Sequence, residues 1–145
     1  MVLRADAVRA RVAKLEEVVS GLEQLSRGSS AAPPKDLRDV WAIERGLLLG
    51  AETIFDIGNH ILTAHYGLSA NDYEDIVVQL AAQGVIDEAL RQRLTGLGGF
   101  RNILVHGYLR IDPALVEKHL EKAPAEFSDF ARAIRRWLET TLVSR

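Results

Sequence analysis

Apolar residues recur every three or four positions along almost the whole chain, and nowhere is alternation at period two sustained. That periodicity argues against a sheet and for helices packed on helices. The first such run is Val8, Val12, Leu15, Val19 and Leu22. It forms a narrow heptad-like seam, fitting one helix lying along another at a shallow angle. RGSSAAPP, residues 27–34, breaks the pattern with glycine, serines and paired prolines, and reads as a loop.

A second helix is predicted from near Lys35 to near Gly67, with Leu37, Val40, Trp41, Leu48, Ile54, Phe55, Ile61 and Leu62 as apolar positions. At ~1.5 Å per residue it spans ~45 Å, the long axis of a small bundle. Gly46, Gly50 and Gly58 interrupt it. Each costs about 1 kcal/mol against alanine in a helix, so a reason is expected. Close approach of another backbone, across a dimer interface for instance, is one reason, and a kink is the other.

SANDYEDIVVQLAAQG predicts a third helix, capped by Ser69 or Asn71 and ended by Gly84. A fourth runs from Asp87 towards His106 and Gly107. Asp112 before Pro113 opens a fifth. Pro124 restarts or bends the chain, and a last helix reaches Leu142 through Phe127, Phe130, Ile134, Trp137 and Leu138. Trp41, Trp137, Phe127 and Phe130 sit at helical spacing and are assigned to the core. The expected fold is an all-α, up-and-down bundle of five to six helices in one domain over residues 1–145.

Composition narrows the function classes. The chain has no cysteine, which excludes disulfides and thiolate zinc sites and suits a reducing cytoplasm. No apolar run approaches the roughly 18 residues of a membrane helix, and the charged N-terminus does not read as a signal peptide. No membrane role is expected. A net charge of −2 makes the molecule as a whole no magnet for nucleic acid, so any phosphate binding must be local. The cations are mostly arginine, with lysine only at 14, 35, 118 and 122. Arginine's planar fork suits phosphate, although codon bias accounts for arginine equally well.

FRNILVHGY, residues 100–108, carries the chemistry. It places an arginine, an asparagine, a histidine and a tyrosine in one apolar segment. On a helix Asn102 and His106 lie four apart, within hydrogen-bonding reach, while Phe100, Ile103 and Leu104 face the core. Gly107 disfavours helix, so His106 falls in the last turn and Tyr108 just past it. These types suit phosphodiester cleavage without a metal. An imidazole near neutral pKa serves as base or acid. A guanidinium stabilises the charged transition state, an amide orients the ring, and a phenol holds a phosphate oxygen or the leaving group. One histidine falls short of the usual acid and base pair. A two-fold dimer with both copies across one cleft would supply the second. The bland alternative is a histidine at a helix C-terminus and an arginine paired with a carboxylate.

Arg101-Asn102-x-x-x-His106-x-Tyr108 resembles the R-x4-H-x-Y motif of the HEPN superfamily, in particular the HepT-like toxin family. AIERGLLLGAETIFDIGNHIL, residues 42–62, is similar to the long second helix of HepT proteins. SANDYEDIVVQLAAQGVI and FRNILVHGYLRID follow in the same order. The resemblance covers residues 40–113 well and implies a homodimeric bundle with two motifs facing across a cleft. It implies a metal-independent ribonuclease toxin that needs no cofactor and acts on RNA rather than DNA. Its antitoxin would be an MntA-type minimal nucleotidyltransferase that transfers AMP to the motif tyrosine. By position, Arg101 and His106 would be catalytic, Asn102 supporting, and Tyr108 both supporting and the modification site.

The other polar residues give weaker signals. Asp56 and His60 share a helix face with Asn59 nearby, and they read as a structural pair or as lining of the dimer cleft. Two possible ligands without a third make a thin metal site, so none is expected. Glu44 and Arg45 read as a solvated or interhelical charge pair, and His65 and His119 as surface residues. The alternative function is a non-catalytic helical binding subunit for a nucleotidyltransferase.

Overall fold

The computed structural model describes residues 2–27 and 36–143. Of the loop predicted at residues 27–34, Arg27 is the last residue of the first helix, and the rest, with Lys35, lies outside the described residues. Among the described residues there are six α-helices and no strand. They are α1 (Ala5–Arg27), α2 (Leu37–Tyr66), α3 (Tyr73–Ala82), α4 (Glu88–Arg93), α5 (Leu97–His106) and α6 (Pro113–Val143), with a 3-10 turn at Tyr108–Arg110 before α6. The fold is the expected all-α bundle.

The seam of α1 is buried along its whole length, and α1 packs against both α2 and α6. α2 is the central element and touches α1, α3, α5 and α6. Asp36 caps its start, its side chain accepting from the Asp39 N–H at 2.9 Å, and Gly67 closes it in the left-handed conformation. The three glycines of α2 are explained within one chain. A Cβ at Gly50 would lie 2.2 Å from Phe127 Cε2, one at Gly58 2.5 Å from Ile76 Cγ2, and one at Gly46 2.9 Å from Leu22 Cδ2. They admit side chains of α6, α3 and α1, so neither a dimer interface nor a kink is needed to account for them.

Four other expectations are corrected. The cap of α3 is Asp72, whose side chain accepts from the Asp75 N–H at 2.8 Å, rather than Ser69 or Asn71. The predicted fourth helix is two helices, broken at Gly96 with φ 91°. Leu90, Leu94 and Leu97 are all buried and keep helical spacing across that break, which hides it in the sequence. Of the two expectations for Pro124, restart or bend, the restart is corrected, because α6 runs through it as one helix. A proline in a helix interior lacks one N–H and clashes with the preceding turn, but buried Ala123 and Phe127 anchor the helix on either side. Trp41 is 62% exposed, on the same outward face as Leu37, while Trp137, Phe127 and Phe130 are core as expected.

Two histidines are less peripheral than their sequence context suggests. His119 is half-buried and stacks on Phe100, with ring centroids 3.7 Å apart and planes 8° from parallel. Burial holds its pKa below the usual imidazole value, and Lys118 and Lys122 push the same way. His65 packs edge-on against Tyr66 and Trp137, and the Trp137 indole donates to the Tyr66 hydroxyl at 3.0 Å.

Candidate active site

α5 carries the motif, and its position is set from α3. The Glu74 carboxylate accepts from the Gly96 N–H at 3.1 Å and from the Gly98 N–H at 2.8 Å. It thereby caps the start of α5, where no local side chain does so. A Cβ at Gly98 would come within 2.8 Å of Tyr73 Cβ, so glycine there lets α5 sit directly on α3. Buried Phe100 and Leu104 anchor α5 to the core. Ile103, expected in the core, is 37% exposed instead.

Arg101 points back into the bundle. Its Nε donates to Glu52 Oε1 on α2 at 2.7 Å, and its guanidinium carbon lies 4.7 Å from the centre of the Tyr73 ring. Tyr73 is backed by Phe55, with ring centroids 4.7 Å apart. The Arg101 side chain keeps 17% of its surface exposed. Its Nη1 donates to Asn102 Oδ1 at 3.2 Å. A guanidinium has five N–H donors, so two contacts leave several unspent. The carboxylate partner foreseen as the bland alternative therefore exists, and it orients the fork while leaving it donors.

The structure joins Arg101 to Asn102, whose carbonyl accepts from the guanidinium, and among the described residues no hydrogen bond joins Asn102 to His106. Arg101 and His106 are five residues apart, so they leave the helix about 140° apart. His106 is the last residue of α5 and is exposed. Gly107 ends the helix, its N–H donating to the Ile103 carbonyl at 2.8 Å. Tyr108, in the 3-10 turn just past it, is 68% exposed, and Leu109 beside it 85%. The site is thus an oriented cation at the α2–α3–α5 junction, with an imidazole and a phenol exposed at the helix end.

Glu52 and Tyr73 were missed in the sequence reading. Glu52 lies 49 residues from its partner and Tyr73 belongs to another helix, so neither forms a local motif with Arg101. Asp56 and Asn59 sit beside the site, lining a cleft together with Asn102 and Tyr73. His60 does not pair with Asp56: its Nε2 accepts from the Arg4 backbone N–H at 3.2 Å and ties the start of α1 to α2.

An all-α bundle that presents this motif at a helix end fits the family that the sequence resembles. The chain belongs to the ribonuclease HepT-like family, whose model matches residues 13–134. It is 30% identical over 101 residues to a Bacillus subtilis protein named "Putative RNase YutE", covering 70% of each chain. It is 29% identical over 126 residues to an Archaeoglobus fulgidus protein named "Putative RNase", covering 87% of this chain and 91% of that one. Among solved structures, the tri-AMPylated HEPN toxin of Shewanella oneidensis, in complex with its MNT antitoxin, superposes with a TM-score of 0.80 at 22% identity, covering 92% of this chain and 99% of that one. YutE, described there as a cytosolic protein, superposes at 0.74 with 26% identity, covering 98% and 96%. The first likeness bears on the fold alone. No helix among the described residues is long and apolar enough to cross a membrane.

Proposed function

We propose that this chain is a metal-independent ribonuclease toxin acting as a homodimer, silenced when an MntA-type nucleotidyltransferase attaches AMP to Tyr108. The observation that carries the reading is the motif itself. Arg101, His106 and Tyr108 stand in family order, the cation oriented by Glu52 and the other two exposed at the helix end.

The chemistry follows from the groups. The His106 imidazole takes the proton of a ribose 2′-hydroxyl, whose oxygen attacks the adjacent phosphorus. The bond from phosphorus to the 5′-oxygen breaks, leaving a 2′,3′-cyclic phosphate. His106 of the partner subunit donates a proton to the departing oxygen. The unspent N–H groups of Arg101 face the charge that develops on the phosphoryl oxygens. Asn102, holding the guanidinium edge, supports that fork. Each AMP on Tyr108 adds negative charge and bulk to the rim, excluding RNA by repulsion and by volume.

The reading is tested by expression in a bacterial host. Wild type alone arrests growth, and His106→Ala does not. Supplying the nucleotidyltransferase restores growth and labels Tyr108 with AMP, while Tyr108→Phe stays toxic and unlabelled. Arrest by His106→Ala, or labelling of Tyr108→Phe, contradicts the reading.

A further inference from the structure

A cleft of about 430 Å³ opens beside Arg101, with Phe55, Ile76 and Tyr73 as its less polar wall and Asp56, Asn59, Asp72 and Asn102 at its polar edge. Its size falls within the ~300–1,000 Å³ of small-molecule sites. Asp56 and Asn59 are three residues apart on α2, so they present side by side. Both are exposed, and among the described residues neither side chain has a hydrogen-bond partner. Asn102 spends its carbonyl on Arg101 and keeps its amide N–H groups. The Asp72 carboxylate is engaged in capping α3. The cleft therefore offers the two oxygens of the unengaged Asp56 carboxylate, one complete amide and one amide donor, next to the fork that faces the phosphate in the proposed reaction.

That set discriminates between ligands. A phosphate entering the cleft would meet the Asp56 carboxylate and be repelled. A carboxylate accepts only, so its partner must donate, best through two adjacent N–H groups. Guanine presents such a pair at N1 and N2, and its O6 accepts from an amide. Adenine and cytosine offer a single amino group on that edge, and uracil a single imino N–H. A second cleft of about 490 Å³ shares Asp56 and Asn59 and carries Arg4 and Arg11 on its far side. A strand leaving the Arg101 site across these two residues would meet cations again, where its next phosphate needs them.

We propose that the Asp56–Asn59–Asn102 cleft is a base-recognition subsite that takes guanine from the RNA strand adjoining the cleaved phosphate. The proposal rests on the ribonuclease reading for its substrate, so the test separates the two. Uridine-rich oligoribonucleotides carrying one guanosine, inosine or adenosine are assayed for cleavage by wild type and Asp56→Asn. The same RNAs are assayed for binding to His106→Ala by fluorescence anisotropy. Guanosine is favoured over adenosine by about ten-fold or more in both assays, and inosine, lacking the 2-amino group, loses most of that preference. Asp56→Asn, made alone and combined with His106→Ala, brings the guanosine-to-adenosine ratio close to one, with circular dichroism confirming the fold. An Asp56-dependent guanosine preference in binding, without cleavage by wild type, upholds the subsite and overturns the ribonuclease reading. Cleavage with no Asp56-dependent preference, or binding with none, overturns the subsite.

Discussion

Arg101 is the residue on which the site's geometry turns. It is held by an ion pair at 2.7 Å, an amide and an aromatic face, and each contact comes from a different position: Glu52, Asn102 and Tyr73. Such a fork is set before substrate arrives, which is how oriented charge lowers a barrier without reorganising. In the proposed reaction Glu52 is thus a positioning residue. Replacing it by Gln keeps an acceptor but loses the charge that fixes the guanidinium. RNA cleavage should fall roughly ten-fold, mainly in kcat with KM changing less, since misorientation weakens the transition state more than the encounter. Steady-state kinetics with the purified variant measure the split, and an unchanged kcat removes Glu52 from the account. The motif residues were legible because they crowd into nine positions. Glu52 was not, because a carboxylate on an amphipathic helix looks the same whether it meets water or an arginine 49 residues away.

Among the elements, α6 presses a side chain into α2 at Gly50. Phe127 is 2% exposed, and the cavity it lines holds only about 20 Å³, so its ring has nowhere to go when a Cβ appears 2.2 Å away. Gly50→Ala should therefore destabilise the fold by about 1–3 kcal/mol despite alanine's better helix propensity. Gly99→Ala, in exposed α5 sequence with nothing within 4 Å of the added Cβ, is its control and should be neutral or slightly stabilising. Urea unfolding of the two variants decides, and equal stabilities would mean that α2 and α6 are not packed this closely. The seam of α1 was readable from periodicity alone because all five of its residues are buried where α1 packs against α2 and α6. The break between α4 and α5 was not readable. Its leucines keep step across Gly96, and the cap of α5 comes from Glu74, more than twenty residues upstream.

At the scale of the molecule, one copy carries one oriented cation and one free imidazole at its motif, and the proposed reaction needs both an acid and a base. In the proposed homodimer a second copy would supply the missing group, and exposed Ile103 and Leu109 beside the motif would give such an assembly apolar surface to cover. Trp41 and Leu37 expose apolar surface on the first turns of α2, where helical spacing alone had assigned Trp41 to the core. Periodicity shows which residues share a face but not whether another helix lies opposite, and for Trp41 none does among the described residues. The most direct test of the central claim is cleavage of RNA by the purified chain in excess chelator, wild type against His106→Ala. The account predicts cleavage by wild type, ending in 2′,3′-cyclic phosphates, and its loss in the variant. Equal cleavage by both, or cleavage by wild type that chelator abolishes, would contradict it.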